Sequence, residues 1–157
     1  FVYAQVPTSL SDAMAPGAFM KFGIDQIAAH CLDGLRPEFP STVRPGDIVV
    51  GERNFGIGSS REQAPQALRQ LGVAAVVAVS FAGLFYRNAL NLGLPVVVCP
   101  EAGAIADGVA AQVDFVVGRI ELPATGRVLA CEPIPAFLLE MLNDGGLLPH
   151  LRRRLKK

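Results

Sequence analysis

Asn54-Phe55-Gly56-Ile57-Gly58-Ser59-Ser60-Arg61-Glu62-Gln63-Ala64-Pro65 is the stretch whose residue types could do chemistry. Its two glycines let backbone N–H groups approach an anion closely. Its two serines offer hydroxyl groups, and Arg61 offers a planar cation able to grip a carboxylate with two parallel hydrogen bonds. Upstream, Asp47 to Val50 reads as a short apolar strand; downstream, Glu62 to Leu71 reads as a helix stopped by Gly72. The stretch would then lie between the carboxyl end of a strand and the amino end of a helix. In open α/β sheets ligands gather there, and helix-terminal N–H groups favour an anion.

Other readings compete. Ser59-x-x-Glu62 fits a capping box with Ser59 as N-cap. Pro65 opposes it: with either serine as N-cap, Pro65 would fall beyond the free donors of the first turn and break a helical bond. The helix is therefore expected to start after Arg61, leaving Ser59, Ser60 and Arg61 in the loop. A dinucleotide fingerprint fails because Arg61 stands where its third glycine belongs, and no Gly-Lys-Ser/Thr run makes a Walker loop. Residue chemistry alone leaves an anion-binding active loop and a structural turn side by side.

The elements that must position this loop follow from the flanking pattern. Val73 to Val79 is apolar on both faces, as a buried parallel strand is. Ser80 is a plausible N-cap for a helix from Phe81 to Leu92 closed by Gly93, and Leu94 to Cys99 reads as the next strand. This alternation predicts right-handed crossovers and an α/β fold, a largely parallel central sheet flanked by helices. At 157 residues, the chain 1–157 is expected to form a single domain without a linker. Ile24 to Leu32 reads as a helix, residues 115–118, 119–122 and 127–131 as short strands, and Pro135 opens a helix ended by Gly145-Gly146. Phe19-Met20-Lys21-Phe22 is expected to be a loop.

Hydrophobic residues make up 51% of the chain and charged residues 18%, against about 25% charge in an ordinary soluble domain. This excludes disorder, and the apolar excess suggests a protein–protein interface. The apolar stretch Leu71 to Tyr86 is too short for a membrane span, which takes roughly 18 residues. Fourteen basic residues balance fourteen acidic ones, so neither nucleic acid nor an anionic membrane is an expected partner. The basic end, His150, Arg152, Arg153, Arg154, Lys156 and Lys157, would complement a helix C-terminus or meet an acidic partner. Cys31, Cys99 and Cys131 make neither a disulfide framework nor a metal site, and fit a reducing, cytoplasmic compartment. The first residues lack the basic segment of a signal peptide. His30 and His150 read as structural or solvated.

The loop, taken with Ser80-Phe81-Ala82-Gly83-Leu84-Phe85-Tyr86-Arg87-Asn88-Ala89 and Gly93-Leu94-Pro95-Val96, resembles the small subunits of 3-isopropylmalate dehydratase, the swivelling domain of the aconitase superfamily. The similarity extends to His30-Cys31-Leu32, Val43-Arg44-Pro45-Gly46-Asp47 and Gly145-Gly146-Leu147. It implies a swivelling β/β/α domain and a hydro-lyase active only with a large subunit. The substrate would be a small hydroxy-dicarboxylic acid: 2- and 3-isopropylmalate, interconverted by dehydration and rehydration in leucine biosynthesis. Family members use a [4Fe–4S] cluster as Lewis acid on the departing hydroxyl. Without three suitably placed cysteines, this chain would bind no cofactor and the cluster would arrive on the large subunit.

By the same resemblance Ser59 is the catalytic base, acting as an alkoxide, while Ser60 and Arg61 hold a substrate carboxylate. Two positions depart from the family. Leu10-Ser11-Asp12-Ala13-Met14-Ala15-Pro16 replaces the usual Asp-Thr-Asp run, leaving Asp12 and Ser11 to stand in, and Ile57 replaces a frequent cysteine. The loop Phe19 to Phe22 would meet the non-reacting part of the substrate: its apolar residues suit an isopropyl group, while Lys21 suits an extra carboxylate. The altered first loop keeps two alternatives open. One is a paralogous dehydratase for another malate-like acid, such as homoaconitate or dimethylmalate; the other is a non-catalytic regulatory subunit.

Overall fold

The structure, a computed structural model, describes residues 2–6, 11–58 and 62–156. Along the chain run β1 (Val2–Val6), α1 (Ser11–Met14), a 3-10 turn (Gly17–Phe22), α2 (Ile24–Ala29), α3 (Phe39–Thr42), β2 (Ile48–Gly51), α4 (Gln63–Gln70), β3 (Ala75–Ala78), α5 (Gly83–Asn91) and β4 (Val96–Val98). A second 3-10 turn (Ala102–Ala104), β5 (Gln112–Asp114), β6 (Arg119–Leu122), β7 (Arg127–Ala130), α6 (Ala136–Asn143) and α7 (Leu147–Leu155) follow.

Apolar residues at every position of β2, β3 and β4 require cover on both faces of the sheet. The four strands are parallel and lie in the order β1-β2-β3-β4, with Val49 beside Val76 and Val77 beside Val97. Because successive side chains alternate, Val49, Val76, Ala78 and Val96 enter one core and Ile48, Val50, Val77 and Val97 the other. Strand order follows chain order, so every crossover runs the same way, and a constant hand puts the linking helices on one face. Residues of α1, α2, α4 and α5 accordingly share the first core. The opposite face is covered by the antiparallel sheet β5-β6-β7 and by α6. This is the expected α/β architecture.

Four local expectations are corrected. Residues 115–118 form a turn rather than a strand: Asp114 Oδ1 accepts the N–H groups of Val116 and Val117 at 3.0 Å each, drawing the chain out of extension. The helix of the first flank ends at Ala29, short of Leu32, whose backbone is left-handed (φ 65°) and whose N–H bonds the carbonyl of Ala13 at 2.7 Å. Phe19 to Phe22 lies within a 3-10 turn instead of an irregular loop. Ser80 caps nothing, since α5 begins at Gly83 with Ala82 as its N-cap.

The basic end forms the last turn of α7, where Arg152, Arg153 and Arg154 face the negative end of the helix dipole. His150 Nδ1 lies 2.7 Å from Asp144 Oδ2, and the Arg153 guanidinium donates to Oδ1. The His150 hydrogen bond, with help from Arg153, holds the Asp144 carboxyl below its usual range against partial desolvation. A folded-state pKa below the unfolded value of about 3.9 gives stability that is present above that pH and lost as pH falls through the folded value. Asp144→Asn is therefore expected to lower the melting temperature by a few degrees at pH 7, with the deficit shrinking toward pH 3. Thermal melts showing the same deficit at both pH values would count against this role.

Candidate active site

The loop after β2 is built on aromatic packing. Phe55 is fully buried, and its ring lies over the backbone of Gly51, where a Cβ would come within 2.1 Å of Phe55 Cδ2. Its main chain is fastened to the segment after β3: the Phe55 N–H donates to the Ser80 carbonyl at 2.9 Å, and the Ala82 N–H donates to the Phe55 carbonyl at 2.9 Å. Phe55 meets Phe85 edge-on at 5.3 Å and Phe81 at 6.0 Å, and Tyr86 meets Phe81 at 5.8 Å. The Phe-x-x-x-Phe-Tyr pattern of the sequence motif is thus the floor beneath the loop. Burial first, and then the nearby Glu132 carboxylate, push the Tyr86 phenol up, so Tyr86 stays protonated and serves packing rather than base chemistry.

Asn54 adopts the left-handed conformation (φ 54°) that its short polar side chain tolerates. Its N–H donates to Ser80 Oγ at 2.8 Å, and its carbonyl accepts the Ile57 N–H at 3.1 Å. Gly56 (φ 79°) is buried against Phe85, while Ile57 and Gly58 (φ 137°) are exposed. On the far side, α4 begins at Gln63 with Glu62 as N-cap, and the first helical bond runs from the Gln66 N–H to the Glu62 carbonyl at 3.2 Å. Pro65 is the third residue of that helix, where a missing N–H costs nothing. The expected start after Arg61 agrees with this geometry. Ser59, Ser60 and Arg61 lie outside the described residues; Gly58 and Glu62 flank them at the carboxyl edge of the parallel sheet.

Asp12 lies in α1, which follows the carboxyl end of β1 and packs against α4, so it belongs to the same edge of the sheet. Lys21 belongs to the 3-10 turn, which packs on α2, and α2 in turn packs on α4. Its Nζ stands 4.9 Å from the centroid of the Phe22 ring, with both residues exposed. Phe19 and Met20 instead turn toward the core, and Phe19 stacks on the His30 ring at 3.7 Å. The apolar surface expected from three residues therefore narrows to Phe22. His30 Nδ1 is 2.6 Å from Asp33 Oδ2, which pins the ring in this structural stack. Sequence reasoning missed the Ser80 hydroxyl as a loop contact; its only signal was a serine following the apolar strand.

The cysteines do not fit an iron–sulfur cluster. Cys31 is buried in the helix-side core, whereas Cys99 and Cys131 pack on the opposite side of the sheet. Burial pushes all three thiols up, Cys131 to about 11 with the help of neighbouring Cys99. Cluster ligands must be thiolates converging on one point. Among the described residues, no group of three or more His, Cys, Asp or Glu side chains is placed to hold a metal ion.

The aconitase C-terminal domain family matches residues 36–101, the span from the end of the first helical layer through β4. The methanogen homoaconitase small subunit of Methanothermobacter thermautotrophicus is 45% identical over 141 residues, 89% of this chain and 82% of the relative. The 3-isopropylmalate dehydratase small subunit 1 of Methanopyrus kandleri is 44% identical over 145 residues, 91% of this chain and 85% of the relative. The chain belongs to the aconitase family, among small subunits of the isopropylmalate dehydratase type. These enzymes are hydro-lyases, and a small subunit implies a large-subunit partner. The crystal structure of 3-isopropylmalate dehydratase from Methanocaldococcus jannaschii superimposes with a TM-score of 0.87 at 36% identity, covering 99% of this chain and 90% of that one. The small subunit described above thus has the fold of an aconitase-type swivel domain. Among the described residues no helix is long and apolar enough to cross a membrane.

Proposed function

We propose that this small subunit serves the interconversion of 2- and 3-isopropylmalate in leucine biosynthesis, with Ser59 as base and Ser60, Arg61 and Asp12 holding substrate carboxylates. The observation that carries this reading is the clamped Asn54–Gly58 loop, which delivers Gly58 to the carboxyl edge of the sheet directly before Ser59. The proton removed lies beside a carboxylate and is weakly acidic, and a free serine is a weak base. An alkoxide becomes usable where N–H groups, the amino end of α4 and the Arg61 guanidinium stabilise its charge in a site closed to water. Arg61 and Ser60 then fix the neighbouring carboxylate so that the proton faces Ser59. The cluster that polarises the departing hydroxyl is assigned to the large subunit, and the intact Ser59-Ser60-Arg61 run argues against a purely regulatory chain. Balanced charge gives no attraction to nucleic acid or anionic membranes, and three free thiols suit the cytoplasm.

A second substrate reading has its own observation. The Lys21 ammonium is exposed over Phe22, where it could pair with the third carboxylate of a homoaconitate-like acid. The complex with a cluster-loaded large subunit, assayed on isopropylmalate and on a tricarboxylic analogue, separates the two. Lys21→Val is expected to leave isopropylmalate turnover nearly unchanged and to lower kcat/KM for the tricarboxylic acid about ten- to a hundredfold, the worth of one hydrogen bond to a charged group. Equal effects on both substrates would remove Lys21 from specificity. Turnover of the tricarboxylic acid alone would replace isopropylmalate as the substrate.

A further inference from the structure

We propose that the Ser80 hydroxyl is a positioning residue for the catalytic loop, holding Asn54 in its left-handed conformation and thereby fixing the path of the chain into Gly58. The inference rests on the reading of Ser59 as base but not on any geometry of Ser59 itself. One residue receives two consecutive amides: the Asn54 N–H donates to Ser80 Oγ at 2.8 Å and the Phe55 N–H to the Ser80 carbonyl at 2.9 Å. The carbonyl is part of an isolated parallel bridge between Phe55 and Phe81, which any residue at position 80 could supply. The hydroxyl is different, because only a side-chain oxygen can reach the second amide.

The alternative use of such a serine, capping the following helix, is absent. α5 starts at Gly83 with Ala82 in extended conformation as N-cap (φ −66°, ψ 133°) and no side-chain cap, so Ser80 stands two residues before the cap. Its oxygen is directed across the sheet edge to a loop 26 residues earlier in the chain. The consequence is specific to Asn54. A left-handed asparagine is tolerated rather than preferred, and its carbonyl must point correctly to accept the Ile57 N–H at 3.1 Å. Phe55 and Gly56 are fixed by burial, but Ile57 and Gly58 are exposed and take their direction from that Asn54 turn. Without the hydroxyl, the exposed Asn54 N–H can bond water instead, so the fold survives while the loop loses its single geometry.

Displacements of about 1 Å in catalytic groups cost about a hundredfold in rate. The test is steady-state kinetics on the complex with the cluster-loaded large subunit, for wild type, Ser80→Ala, Ser80→Thr, Ser80→Cys, Ser59→Ala and the Ser59→Ala/Ser80→Ala double variant. Ser80→Ala is expected to lower kcat about ten- to a hundredfold with KM within about threefold of wild type. Ser80→Thr, which keeps the hydroxyl, should recover most of the loss. Ser80→Cys, nearly the same size with a poor acceptor, should behave like alanine and serves if the alanine form does not fold. In the Ser59→Ala background the loss should vanish, since residues acting as one unit are non-additive. A kcat for Ser80→Ala within threefold of wild type overturns the proposal, as does a threonine variant no better than alanine. An undiminished loss in the Ser59→Ala background overturns action through Ser59. Failure of the base reading would show separately, as near-wild-type turnover of Ser59→Ala alone.

Discussion

Ser59→Ala is expected to reduce turnover of the assembled enzyme by about 10²–10⁴-fold, the range a positioned general base contributes, while the large subunit still binds. The loop supports both halves of this expectation. Its anchor lies upstream, in the Phe55 contacts and the three hydrogen bonds that tie Asn54, Phe55 and Ala82 together, and its exit lies downstream, where α4 begins at Gln63 with Ala64 and Pro65 buried. The anchor is made by Asn54, Phe55, Ser80 and Ala82 and the exit by the burial of Ala64 and Pro65, so Ser59→Ala is expected to delete chemistry and leave this scaffold. A base acts mainly in the transition state, which directs the loss to kcat with KM changed little. The measurement is hydration of an unsaturated dicarboxylic acid by the complex, with subunit association followed separately. The chain alone should be inactive, because its cysteines cannot converge on a cluster. Turnover by the isolated, metal-free chain would sink the two-subunit assignment, and a Ser59→Ala complex at wild-type rate would sink the base.

What the sequence made legible was what nearest neighbours decide. β3 and β4 read as buried strands because their valines and alanines are apolar on both sides, and the start of α4 was legible because a proline is tolerated only in a first turn. The turn at residues 115–118 was not, because two exposed valines at 116 and 117 mimic a strand while the Asp114 carboxylate binds their amides. α7 was legible only through its basic last turn, and its start was hidden for a related reason. Gly145-Gly146 ends α6 as expected, yet Gly146 (φ 116°) is at once the N-cap of α7, so one glycine pair serves two helices. Ser80 shows the limit most clearly: a serine oxygen accepting a backbone N–H has one chemistry whether it caps the next helix or clamps a distant loop. Local pattern cannot choose between partners; only the parallel alignment of β2 and β3, which brings residue 80 beside residue 54, makes that choice.

Gly56→Ala should be the most damaging single methyl group in the molecule's loop. Two independent costs meet there. The backbone is left-handed at φ 79°, which an L-residue adopts at about 1–2 kcal/mol. A Cβ would also lie 2.3 Å from Phe85 Cγ and 2.5 Å from Phe85 Cβ, too close to stand without movement. Phe85 has no room to withdraw: it is 4% exposed, edge-on to Phe55 at 5.3 Å and parallel to Phe81 at 6.2 Å. Overpacking of this kind costs about 1–3 kcal/mol, so the variant should lose about 2–5 kcal/mol of a total that is typically about 5–15. Denaturant unfolding reads that loss directly. Where the variant remains folded, the displaced loop should lower kcat of the complex at least about tenfold, in keeping with the rate cost of small misplacements. Phe85→Leu added to Gly56→Ala should restore part of the stability by opening space, but not the part owed to backbone conformation. Gly83→Ala is the matched control, since a Cβ there meets nothing within 4 Å and its backbone is not left-handed; it should leave stability unchanged or raise it by up to about 1 kcal/mol. If Gly56→Ala unfolds at the same denaturant concentration as Gly83→Ala, the Phe85 floor does not support the loop, and the glycine at position 56 answers to some need other than this packing.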